Sequence, residues 1–110
     1  MSAGKFNITI DQGSDFSLKL TVKEAGVVKN LTGYSARAQL RTATTSATVS
    51  GTFTCTITDA TAGVLTMAMP YGTTADVTPG KHYYDLEVYT ASVVQRLIQG
   101  TAMVRAEVTR

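Results

Sequence analysis

The stretch Phe16-Ser17-Leu18-Lys19-Leu20-Thr21-Val22-Lys23 alternates apolar and polar residues without a break. A period of two puts successive side chains on opposite faces of an extended chain, so this segment reads as a strand, one face buried and the other wet. The pattern recurs on both sides. Upstream, Phe6, Ile8 and Ile10 alternate with Asn7 and Thr9, and Asp11-Gln12-Gly13-Ser14 is turn material. Downstream, Glu24-Ala25-Gly26 turns the chain back through Val27 and Val28. Leu31-Thr32-Gly33-Tyr34 then leads into Ser35 to Arg41, where Ala36, Ala38 and Leu40 share one face and Arg37, Gln39 and Arg41 the other. The small residues on that inward face call for close approach by another strand or sheet.

Residues 42–50 are Ala, Thr and Ser with little else, and read as an exposed loop. Phe53, Cys55 and Ile57 then alternate with Thr52, Thr54, Thr56 and Thr58, the branched threonines suiting a solvent-facing strand position. Leu65, Met67 and Met69 form the next inward stripe, and Pro70 ends it. Gly72 to Val77 has room for one helical turn before the turn signal Pro79-Gly80. The last part is a hairpin: Tyr84, Leu86 and Val88 alternate with Asp85, Glu87 and Tyr89, the chain turns at Ala91-Ser92, and a long strand returns from Val93 to Val108. This register sets Glu87 opposite Arg96, a cross-strand ion pair. Past Gly100 the even positions Ala102, Val104, Ala106 and Val108 form an inward stripe, which makes Gly100 a candidate bulge. About seven short strands with frequent turns point to an all-β fold: an Ig-like antiparallel β-sandwich first, a small β-barrel second.

The 110 residues are the size of one domain, 1–110, with a possible N-terminal arm at 1–5. Only 16% of residues are charged and the net charge is +2, with the basic residues spread along the whole sequence. That is not the footprint of a nucleic-acid binder. No stretch reaches the ~20 apolar residues of a membrane helix, and the start carries no apolar signal segment. A soluble protein made in the cytoplasm is the expectation.

Candidate chemistry is sparse. One cysteine, Cys55, and one histidine, His82, are too few for a structural zinc site. Cys55 falls on an apolar stripe, where a small buried hydrophobe is the simpler reading than a nucleophile. His82, at a turn-to-strand junction, reads as a surface or edge residue. Asp85 and Glu87 share a strand face, as paired carboxylates of a glycosidase do, but a solvated face pairing with Arg96 or a neighbouring subunit explains them more simply. Of Tyr83 and Tyr84, one faces the core with its hydroxyl bonded to backbone and the other points outward. Asn7-Ile8-Thr9 and Asn30-Leu31-Thr32 match the glycosylation pattern, silent without a secretory signal. No catalytic, cofactor-binding or metal residue is assigned.

Four segments together carry a family resemblance: Ile10 to Phe16, Asn30 to Arg41, Pro79 to Val88 and Val94 to Gly100, with the ending Glu107-Val108-Thr109-Arg110. The most specific part is Leu31-Thr32-Gly33-Tyr34, followed by Tyr84-Asp85-Leu86-Glu87 and Arg96-Leu97-Ile98-Gln99-Gly100. The chain resembles the Ig-like N-terminal domain of phage baseplate upper proteins, and small virion proteins of tailed bacteriophages. The resemblance implies a non-enzymatic virion structural protein with no cofactor. It would dock on other virion proteins as a tail, baseplate or neck component, or decorate the major capsid protein. Many copies, or a homo-oligomer, are expected in the particle, with neither nucleic acid nor membrane as partner. Candidate subunit contacts are Lys5, Thr45, Tyr89, Arg105 and Arg110, all at ends, tips or exposed strand positions. The alternative is a stand-alone carbohydrate or host-surface binding module, for which Tyr71, Tyr83 and Tyr89 are the stacking residues at hand.

Overall fold

The alternating stretch forms β3 (Phe16–Thr21) in a computed structural model that describes residues 4–24, 26–43 and 49–108. It runs antiparallel to β8 (Val64–Met69) in unbroken register, Phe16 opposite Met69 and Thr21 opposite Val64. Leu65, Met67 and Met69 are fully buried, as their alternation requires. Phe16, Leu18 and Leu20 are only half-buried, because β3 is an edge and no described strand lies on its far side. The Val22 N–H continues the ladder to the Gly63 carbonyl at 2.8 Å. Gly63 has φ +70°, and a Cβ there would lie 2.5 Å from the Lys29 carbonyl oxygen, so only glycine fits. Between these strands, β4 (Lys23–Glu24) and β5 (Val27–Val28) form a small hairpin.

The strand that shapes the molecule is β7 (Gly51–Asp59), because it changes partner along its length. Its first residues pair with β6 (Ser35–Arg41), Phe53 opposite Ala38, and the rest pair with β8, Cys55 opposite Met67. Beyond β6 lie β9 (Gly80–Tyr89) and β10 (Val94–Arg105), and β10 carries β1 (Gly4–Lys5) and β2 (Ile8–Asp11) on its outer edge. The order β3-β8-β7 on one side of this change of partner and β6-β9-β10 on the other matches the B-E-D and C-F-G orders of an immunoglobulin-like sandwich. The continuous β7 joins the two into one open, nearly barrel-shaped sheet, which was the second expectation. The all-β fold class holds. The inner faces share one core, in which the Phe53 ring meets Phe16 at 5.8 Å and Tyr84 at 6.3 Å between centroids.

Several details differ from the sequence reading. The sheet is mixed rather than antiparallel, since β1 and β2 both run parallel to β10. The helical turn α1 (Tyr71–Thr74) starts one residue before the expected stretch, directly after Pro70, and its buried Thr74 hydroxyl accepts from the Gly13 N–H and donates to the Ser14 carbonyl. The bulge in β10 is at Leu97, not Gly100, because Arg96 faces Glu87 and Ile98 faces Leu86, leaving Leu97 as the extra residue. The inward stripe then ends at Val104: Ala106 is exposed and Val108 is 92% exposed. His82 is buried at 2% exposure, because its parity on β9 matches Tyr84 and Leu86; its Nε2–H donates to the Thr78 carbonyl at 2.7 Å.

Candidate functional site

The outward residues of β6, β9 and β10 make a broad polar face whose composition follows from parity within each strand, shifted by one in β10 at the Leu97 bulge. From β6 come Arg37, Gln39 and Arg41; from β9, Lys81, Tyr83, Asp85, Glu87 and Tyr89; from β10, Arg96, Gln99, Thr101, Met103 and Arg105. Lys5 of β1 joins them, since it pairs with Gln99. Although Glu87 and Arg96 are cross-strand neighbours as expected, the ion pair between them is not formed. Glu87 binds Arg37 of β6 at 2.8 Å, and Arg96 reaches along the strand to Asp85 at 3.2 Å. In a pleated sheet a long arginine reaches the diagonal neighbour as readily as the one opposite.

The face is organised by these contacts. The Arg37 guanidinium lies 4.5 Å from the Tyr89 ring centroid while bonded to Glu87, whose carboxylate raises the Arg37 pKa further. Lys81 Nζ stands 5.3 Å over Tyr83, and Arg41 donates to the Gln39 side-chain oxygen at 3.0 Å. At the far end Arg105 donates to Asp11 at 2.6 Å, and this bond holds the Asp11 carboxyl below its ordinary value. Around Tyr83 the face is concave: a hollow of about 560 Å³ is lined by Lys5, Arg41, Lys81, Tyr83, Asp85 and Arg96. Asp85 and Glu87 share a face as expected, each held by an arginine.

Of the expected contact residues, Lys5, Tyr89 and Arg105 all lie on this one face, Lys5 in the hollow, Tyr89 toward the opposite end and Arg105 on the terminal strand pair. Thr45 and Arg110 lie outside the described residues, as does most of the expected 42–50 loop and arm. The clustering of Arg41, Lys81 and Arg96 was not foreseen, because along the sequence they are far apart. The signal was present in the alternation of 37–41 and 81–89, once the two strands are neighbours. Cys55 and His82 sit in separate surroundings, Cys55 opposite Met67 and His82 opposite Ala102. Burial pushes the Cys55 thiol up to about 11, so it is an un-ionised, weakly reactive group at neutral pH. Among the described residues no group of three or more His, Cys, Asp or Glu is placed to hold a metal, and no helix is long and apolar enough to cross a membrane.

No protein-family model matches the chain, and no curated protein is significantly similar to it.

Proposed function

We propose that the protein is a non-enzymatic structural subunit of a bacteriophage virion, docking on other virion proteins as a tail, baseplate or neck component or as a capsid decoration protein. The observation that supports this most is the outer face of β6, β9 and β10. Its charges are held in cross-strand pairs, Arg37 with Glu87 and Arg96 with Asp85, on a stiff sheet. Charged and aromatic groups already fixed in place lose little freedom on contact, which favours a docking surface repeated by symmetry over a flexible catalytic cleft. The three segments most specific to the virion-protein resemblance are neighbours here, the Leu31–Tyr34 turn feeding β6 and the other two lying in β9 and β10. Such a subunit is made in the host bacterial cytoplasm and ends in the virion in many copies.

The carbohydrate-binding alternative needs open aromatic faces. Of the three stacking residues, Arg37 covers Tyr89 and Lys81 stands over Tyr83, which weighs against it; Tyr71, 66% exposed, is the ring that reading would have to rest on. Sedimentation of particles from the producing host tests the proposal. The protein is expected to co-migrate with particles at fixed stoichiometry, and copy number by gel densitometry separates capsid from tail. Protein left entirely at the top of the gradient, together with saturable glycan binding that is lost in Tyr89→Ala, would overturn it.

A further inference from the structure

The hollow around Tyr83 concentrates charge that the sequence distributes. Four cations, Lys5, Arg41, Lys81 and Arg96, line it against one carboxylate, Asp85. That local excess is larger than the +2 of the whole chain. Among the described residues neither Lys5 nor Lys81 has a carboxylate within salt-bridge distance. Each cation stands on a different strand, in the order β6, β9, β10 and β1, which are consecutive in the sheet. They therefore span three inter-strand spacings of about 4.8 Å each. A single carboxylate or phosphate is smaller than that, whereas an extended peptide with several acidic side chains covers it. Nucleic acid fits less well. The Tyr83 ring, on which a base would stack in the hollow, already carries Lys81.

We infer that the Tyr83 hollow binds an acidic peptide segment, with Lys5 and Lys81 as the cations that gain carboxylate partners on binding. It rests on the structural-subunit reading only in assigning that segment to a neighbouring protein. Anisotropy of a fluorescently labelled octaglutamate peptide tests it on the full chain. Saturable binding is expected, weakening as salt rises, and the Lys5→Ala/Lys81→Ala double variant should lose about tenfold or more in affinity. Lys19→Ala/Lys23→Ala removes the same charge outside the hollow and should change affinity little. Both pairs of lysines are exposed, so folding is expected to persist, checked by circular dichroism. Absence of binding at low salt, equal loss in the two double variants, or tighter binding of an oligothymidylate of equal charge would overturn the inference. If particles incorporate Lys5→Ala/Lys81→Ala as well as the parent protein, the hollow is not the docking site while the virion reading stands. If the peptide binds as expected but the protein never joins particles, the virion reading falls and the site remains.

Discussion

The most constrained residue contact is the carbonyl of Phe6. Tyr84 donates its hydroxyl to it, and Gly100, the residue opposite Tyr84 on β10, leaves it room: a Cβ at Gly100 would lie 2.2 Å from the Phe6 oxygen. The glycine marks a close approach of backbone and not a bulge. Gly100→Ala must therefore push the 4–7 segment away from β10, and a loss of about 1–3 kcal/mol is expected in denaturant unfolding. Tyr84→Phe keeps the ring and removes the donor, leaving a carbonyl without its partner; a loss of about 1–2 kcal/mol is expected by the same measurement. The sequence places one of Tyr83 and Tyr84 in the core with its hydroxyl bonded to backbone, and the structure shows that it is Tyr84, in step with Leu86 and Val88. Which carbonyl would receive it was not legible, because Phe6 is 78 residues away in sequence. His82 shows the opposite failure. The turn signal at Pro79-Gly80 suggested an exposed strand start, yet its parity with Tyr84 already placed it inward.

At the scale of elements, period-two alternation located β3, β6, β7, β8 and β9 closely, since each has one buried face. It said nothing of which strand lies at an edge, because pairing depends on contacts distant in sequence. Parallel pairing of β1 and β2 with β10 was invisible for that reason, and so was the change of partner along β7. The register of β3 shows what an edge implies. The Val22 N–H bonds Gly63, and antiparallel hydrogen bonds alternate, so Leu18 and Leu20 point their backbone groups at β8. Ser17, Lys19 and Thr21 point theirs outward, and Lys19 supplies the charge that discourages unwanted strand addition there. Amide exchange followed by NMR should then alternate along β3: fast at Ser17, Lys19 and Thr21, slow at Leu18, Leu20 and Val22. Uniformly slow exchange along β3 would mean that another strand covers this edge in solution.

For the whole molecule, the same burial that closes the core sets a limit at alkaline pH. Desolvation raises the Cys55 thiol to about 11 and the Tyr84 hydroxyl to about 12, from ordinary values of 9.0 and 10.0. Both groups are neutral when protonated, so the folded chain holds their protons at pH values where the unfolded chain has released them. Stability therefore falls with rising pH wherever the unfolded state binds fewer protons. The contribution is complete below about pH 9 and is lost as pH rises through about 11 and 12, the two folded values. The acidic side behaves differently: the Asp11 carboxyl, held low by Arg105, lies on the open surface, where screening leaves such pairs little weight. Thermal unfolding is thus expected to be nearly flat near neutrality and to drop steeply on the alkaline limb. Cys55→Ala should flatten the earlier part of that drop and Tyr84→Phe the later part, even though each variant starts from a lower midpoint at neutral pH. An alkaline limb unchanged in both variants would show that neither proton is held by the folded core.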